Sequence, residues 1–199
     1  MTRRLIIPVA IVMLFAAAMA DAAGNDQRGC IGSDCATIPP DRFPNGCHPN
    51  GLTQRGTTGS DDLRGSAKRD LLIGGEGDDG ATAHEERDCV FGQRGADDID
   101  ARRGDDWVRG GRGRDALDGG TGDDLIQGGR GDDYIIQGFG GSDSIHGGPG
   151  SDSRIDAGAD RDLIVDMKGH NDINCGKGND KVVTNERSHV EKCEHVTRR

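Results

Sequence analysis

Small aliphatic residues return along this chain at intervals of nine: Leu63, Leu72, Ala81, Val90, Ile99, Val108, Leu117, Ile126 and Ile135. After one extra residue near Gln137 and another around Arg154, the series resumes as Ile145, Ile155, Ile164, Ile173 and Val182. Just ahead of each stands an acid: Asp61, Asp70, Asp79, Asp88, Asp97, Asp106, Asp115, Asp124, Asp133, Asp143, Asp152, Asp162 and Asp180, with Asn171 the one departure. Fourteen such units fill residues 56–183. With the acid numbered position 6 and the aliphatic position 8, each unit holds six turn-forming residues and then three strand residues. A strand that short cannot stand alone. Stacked units solve this, because each strand pairs with a neighbour while position 8 points inward and positions 7 and 9 point outward. The pattern predicts an all-β chain: a parallel β-roll (β-solenoid) of about fourteen nonapeptide repeats, with consecutive units alternating between two sheets and short caps at both ends.

Composition alone gives a different picture. The chain of 199 residues has 34 Gly, 35 Asp plus Glu against 25 Lys plus Arg, a net charge of -10 and 3% aromatic residues. It lacks the bulky side chains of an ordinary layered core, and scattered residues of this kind would stay disordered. Register removes that objection, since disorder would not keep position 8 aliphatic. Glycine dominates positions 1 and 4, where it is expected to supply φ > 0 and close approach of successive turns. Lys68, Glu86 and Asp160 break the rule at position 4, and Ala83, Ala101, Ala157 and Cys175 at position 1; all belong to alternate units. Substituents at φ > 0 are costly, so the other edge, with Gly59, Gly77, Gly95, Gly113, Gly131, Gly150 and Gly169, is expected to be the more regular.

Aspartates repeated in register along an edge repel one another unless a cation lies between them. Carboxylate and carbonyl oxygens in flexible turns suit Ca2+, whereas Zn2+ would call for His or Cys. The clearest unit, Gly119-Gly120-Thr121-Gly122-Asp123-Asp124-Leu125-Ile126-Gln127, resembles the haemolysin-type calcium-binding (RTX) nonapeptide. That resemblance implies multiple Ca2+ ions between the stacked turns of repeats n and n+2, held by position-6 carboxylates and turn carbonyls. The ligands it assigns are Asp61, Asp79, Asp97, Asp115, Asp133 and Asp152 on one edge. On the other they are Asp70, Asp88, Asp106, Asp124, Asp143, Asp162 and Asp180. Asn171 offers oxygen without charge, hence a weaker site. Calcium would then be part of the fold, with the ion-free chain largely unfolded.

The outer faces are unequal. One sheet would carry Leu71, Ile73, Cys89, Phe91, Trp107, Leu125, Leu163, Val165 and Val183, and the other mostly Asp, Asn, Ser and Arg. A contiguous apolar face is usually covered. Candidate covers are residues 24–55, tied down through Cys89, or a protein partner or second copy meeting Leu71, Phe91, Trp107, Leu125 and Leu163.

Residues 1–20, two arginines followed by an apolar run ending Ala18-Met19-Ala20, read as a secretory signal peptide, by the general or the twin-arginine route. An irregular segment 21–55 follows, then the roll 56–183 and a cap 184–199. Six cysteines in an exported chain read as disulfides. Cys175 and Cys193, far from the rest, are expected to pair and to staple the cap, while Cys30, Cys35, Cys47 and Cys89 leave three connectivities. The apolar run aside, no segment is apolar enough to cross a membrane, and the acidic balance disfavours nucleic acid. His84-Glu85-Glu86-Arg87-Asp88 lacks the second His of a zinc protease motif. No nucleophile elbow, phosphate loop or EF-hand loop occurs. The sequence therefore predicts a secreted, non-enzymatic calcium-binding protein, with an extracellular adhesion protein or non-catalytic accessory of a secreted enzyme as the alternative.

Overall fold

The computed structural model describes residues 49–199, so the signal segment 1–20 and Cys30, Cys35 and Cys47 lie outside the described residues. Strands alternate between two sheets, as the nine-residue period requires. The first sheet contains β1 (Thr53–Arg55), β3 (Leu71–Glu76), β5 (Cys89–Arg94), β7 (Trp107–Arg112), β9 (Leu125–Arg130), β11 (Ser144–His146), β13 (Leu163–Asp166), β15 (Lys181–Thr184) and β17 (His195–Arg198). The second contains β2 (Asp62–Arg64), β4 (Gly80–His84), β6 (Asp98–Arg102), β8 (Ala116–Asp118), β10 (Ile135–Gln137), β12 (Ile155–Asp156), β14 (Asp172–Asn174) and β16 (His189–Glu191). Each strand pairs in parallel with the strand two ahead, as when Leu72 faces Val90 and Val90 faces Val108. This is a parallel β-roll, and the described residues include no helix able to cross a membrane.

Position 8 lines the core. Leu72, Val90, Val108, Ile126, Ile145, Ile164 and Val182 from one sheet meet Leu63, Ala81, Ile99, Leu117, Ile155 and Ile173 from the other, all buried. Ile135 is a correction. It is only half-buried, and Ile136 takes the inward place opposite Leu117 and Ile155. The extra residue enters directly after Asp133, at Tyr134, rather than near Gln137. Tyr134 is pushed out to 57% exposure, with the Arg114 guanidinium carbon 5.0 Å from its ring centroid.

The role expected of position 1 is also corrected. Positive φ falls at positions 2 and 4 instead, for example at Gly111 and Gly113. Ala83, Ala101, Ala157 and Cys175 at position 1 are fully buried members of the core, without backbone strain. Gly113 shows what position 4 demands. Its φ is 144°, and a Cβ there would stand 1.7 Å from the carbonyl oxygen of Gly95 in the preceding coil.

Paired strands extend past 56–183 at both ends. β1 lies on β3, while β16 and β17 add to β14 and β15. Cys175, inside the core, is joined to Cys193 by a disulfide with a Cα–Cα distance of 5.1 Å.

Candidate metal centre

Each turn brings its position-6 carboxylate beneath the turn before it. On one edge Oδ1 of Asp79 accepts the N–H of Asp61 at 2.9 Å, Asp97 that of Asp79 at 3.0 Å, and Asp115 that of Asp97 at 3.0 Å. Asp133 and Asp152 continue the series, and Asn171 Oδ1 accepts from Asp152 at 2.7 Å. The opposite edge repeats it: Asp88 accepts from Asp70 at 2.7 Å, Asp106 from Asp88 at 2.6 Å and Asp124 from Asp106 at 2.8 Å. Asp143, Asp162 and Asp180 follow in the same register. The aspartates singled out in the sequence are thus brought into two unbroken rows.

Asp61 Oδ2 accepts the N–H of Thr57 at 2.6 Å and Asp70 Oδ2 that of Ser66, but from Asp79 onward only one oxygen of each carboxylate is used. Oδ2 of Asp79, Asp88, Asp97, Asp106, Asp115, Asp124, Asp133, Asp143, Asp152, Asp162 and Asp180 is buried with no hydrogen-bond partner. A buried anion without compensation is expensive. Burial accordingly raises these carboxyls: Asp97 and Asp133 to about 7, and Asp106, Asp124 and Asp143 to about 8. Each accepted backbone N–H opposes that rise, and the carboxylates of adjacent coils add to it. The donor set is all oxygen, two-sided and short of positive charge, which fits a hard divalent cation. Among the described residues no three His, Cys, Asp or Glu side chains converge on one point, so a cation at these turns would need backbone carbonyls beside the carboxylates.

The two edges differ in backbone strain rather than in carboxylate register. Within the repeats, non-glycine residues at positive φ are His84, Glu86, Arg102, Phe139 and Asp160 on the Asp70 edge, against Gln93 alone on the Asp61 edge. Such residues strain the backbone. His84, from the failed zinc-protease motif, lies here beside Arg102, whose Nη1 is 3.3 Å from His84 Nδ1.

Four residues in these rows escaped the sequence reading. Oε2 of Glu194 accepts the N–H of Asp180 at 2.9 Å and so ends one row, and Ser188 Oγ meets Asn171 Nδ2 at 3.4 Å at the end of the other. Glu194 stands 14 residues past Asp180, outside the nine-residue spacing, so periodicity could not find it. Asp166 and Thr184 are buried at the ends of β13 and β15, the Asp166 carboxyl facing the backbone N–H groups of Lys168 and Gly148 and the Thr184 hydroxyl left without a partner. Asp166 had a signal, an acid at position 1 where other repeats have Gly, Ala or Cys.

The apolar outward residues do share the first sheet. Leu71, Ile73 and Cys89 are buried there, and Phe91, Trp107, Leu125 and Leu163 half-buried. Phe91 and Trp107 meet edge to face, centroids 4.8 Å apart. Cys89 is disulfide-bonded, and the bond leads outside the described residues.

A parallel roll whose turns stack unpartnered carboxylates along both edges defines a cation-binding repeat solenoid, a structural kind of protein. The family model of the RTX calcium-binding nonapeptide repeat matches residues 55–80, 87–117, 109–136, 118–153 and 154–182, and the chain belongs to that family. No curated protein and no solved structure matches it.

Proposed function

We propose that this is a secreted scaffold in which Ca2+ ions seated along both turn rows complete the fold, and that it has no catalytic role. The observation that carries the reading is the run of buried Oδ2 atoms without partners, from Asp79 to Asp180. Position-6 carboxylates from Asp61 to Asp180 would hold the ions with turn carbonyls, and the bound charge would offset the repulsion between coils. Ion binding then supplies folding free energy, because the unfolded chain offers no assembled site. An exported compartment, rich in calcium and permissive of disulfides, suits both this requirement and the Cys175–Cys193 bridge. Equilibrium dialysis of the chain with Ca2+ tests the reading. Several ions per chain are expected, and none bound at millimolar Ca2+ would overturn it.

The first sheet's outer face favours a second reading, a calcium-dependent interaction protein or non-catalytic accessory of a secreted enzyme. Phe91, Trp107 and Leu125 lie half-buried on the adjacent strands β5, β7 and β9, with Leu163 on β13 beyond the polar Ser144 of β11. Sedimentation with and without Ca2+ separates the two: a calcium-dependent dimer supports this second role, and a monomer in both conditions the scaffold alone.

A further inference from the structure

Part of the first sheet's outer face is buried more deeply than its own strands explain. Leu71, Ile73 and Cys89 point outward from β3 and β5, yet they are only 4%, 1% and 1% exposed. Paired neighbours alone do not achieve this. Leu125 has β7 and β11 beside it, and Leu163 has β11 and β15, and both stay half-buried. On β1, which flanks Leu71 on its other side, the outward Thr53 and Arg55 are exposed. The described strands all lie in the two walls of the roll. The burial therefore calls for a cover that crosses β3 and β5 and passes β1 by.

Cys89 supplies the attachment. It is disulfide-bonded, and because Cys175 is joined to Cys193, its partner is Cys30, Cys35 or Cys47. The chain enters the roll at a fixed place. The N–H groups of Asn50 and Gly51 donate to the Arg69 carbonyl at 3.0 and 2.8 Å, and Asn50 Oδ1 accepts the Arg69 N–H at 3.1 Å. Arg69 stands two residues ahead of Leu71, which faces Cys89 on the next strand. With about 4.8 Å between strands and about 3.3 Å per residue along them, Asn50 lies on the order of 12 Å from Cys89.

Cys47, three residues before Asn50, spans up to about 10 Å of that distance, and a disulfide bridges about 5.5 Å more. The tether is short, which gives the Cys47 thiol the highest effective concentration at Cys89. Its route leaves the roll before Thr53 and crosses Leu71, in keeping with an exposed β1 beside a buried β3. Upstream of Cys47 stand Pro39, Pro40, Phe43 and Pro44, and Phe43 is the one Phe, Trp or Tyr in residues 21–48. The strand partner of Cys89 is Trp107, with the Phe91 ring edge to face against it, an aromatic pair that a third ring suits.

We propose that residues 39–48 strap the first sheet's outer face, closed by a Cys47–Cys89 disulfide and seated by Phe43 against Phe91 and Trp107, with Cys30 and Cys35 joined to each other. The occupant of this end of the face is then the chain itself, and a partner would meet only the remainder around Leu125 and Leu163.

Tryptic mapping of the oxidised, calcium-loaded full chain, without reduction, tests the connectivity. Cleavage after Arg28, Arg42, Arg55, Arg87 and Arg94 places Cys30 and Cys35 in 29–42, Cys47 in 43–55 and Cys89 in 88–94. The expected products are 43–55 joined to 88–94, and 29–42 closed on itself. All three fragments in one linked cluster would mean that Cys30 or Cys35 holds Cys89, and 88–94 joined to its own copy would mean that a second chain does; either overturns the proposal. The seat is read from Trp107, the sole tryptophan. Phe43→Ala, which keeps the disulfide, is expected to red-shift its emission and to raise acrylamide quenching several-fold, and Cys47→Ser with Cys89→Ser to do the same. Far-UV circular dichroism and bound Ca2+ are expected to stay at the wild-type level in these variants, so that the change reports the strap and not the roll. Unchanged emission and quenching in both variants would overturn the strap and leave the calcium reading intact.

Discussion

The backbone N–H of Asp106 donates to Oδ1 of Asp124 at 2.8 Å, one coil ahead, and this leaves Oδ2 of Asp124 buried with no partner. The same carboxylate therefore serves the fold with one oxygen and strains it with the other. Substitutions at Asp124 should separate the two effects. Asp124→Asn keeps an acceptor for the Asp106 N–H and removes the charge, so it is expected to stabilise the roll without Ca2+ and destabilise it with Ca2+. Asp124→Ala orphans the N–H as well and should cost about 1–3 kcal/mol in either condition. Thermal unfolding of both variants, with calcium and with chelator, checks the opposite signs.

The raised carboxyls make a pH prediction. Burial holds Asp97 and Asp133 near about 7 and Asp106, Asp124 and Asp143 near about 8, above the ordinary carboxylate range of the unfolded chain. Between those limits the folded state binds more protons than the unfolded state, so stability falls as pH rises. Without calcium, whatever fold persists should be firmest at about pH 4 and below, as far as these groups decide it, and should lose stability progressively as pH rises from there to about 8. Calcium competes with the same protons, so its apparent affinity should climb across that interval. Unfolding midpoints measured from pH 5 to 9 with and without Ca2+ would show the two trends diverging; parallel curves would count against buried carboxylates as the common cause.

The slip at Tyr134 is tested in the core. Ile136 is fully buried and Ile135 half-buried at the neighbouring outward place. Ile136→Ala should cost about 2–5 kcal/mol, as a cavity between packed coils does. Ile135→Ala should cost clearly less. Equal losses in denaturant titrations would mean that the register of β10 differs from the one described.

Cys175 and Cys193 close a loop with a sequence separation of 18, and Cys175 belongs to the core. Replacing both by Ser is expected to cost about 3 kcal/mol, from the loop closure lost in the unfolded state. The effect should appear first at the C-terminal strands β16 and β17, as faster hydrogen exchange there than in β7 and β9.

Much of this was legible in the sequence because one period governs every level. Position 8 gave the core, position 6 the carboxylate rows, and the alternation of units the two sheets, each from a fixed spacing that pairing converts directly into contact. Where spacing failed, legibility failed. Tyr134 and Ile136 could not be told from Ile135 because either isoleucine satisfies an aliphatic position, and only pairing with Leu117 decides between them. Glu194 closes a row from a shortened final coil, so no period points to it. Position 1 was misjudged for a physical reason. Its glycines are explained by the approach of the position-6 carboxylate, as at Gly92, where a Cβ would stand 2.1 Å from Asp97 Oδ2, and not by a positive φ. Asp166 was visible as an exception to a rule, but its pairing with Thr184, one coil ahead, was not.

The central claim is that the cation completes the roll, and far-UV circular dichroism tests it most directly. The chain in chelator is expected to give the spectrum of a largely unfolded polypeptide at neutral pH, and to recover strand signal when millimolar Ca2+ is restored. Mg2+ at the same concentration should do markedly less, since it dehydrates reluctantly and requires tighter geometry. A full strand spectrum in chelator at neutral pH, unchanged on adding Ca2+, would contradict the account.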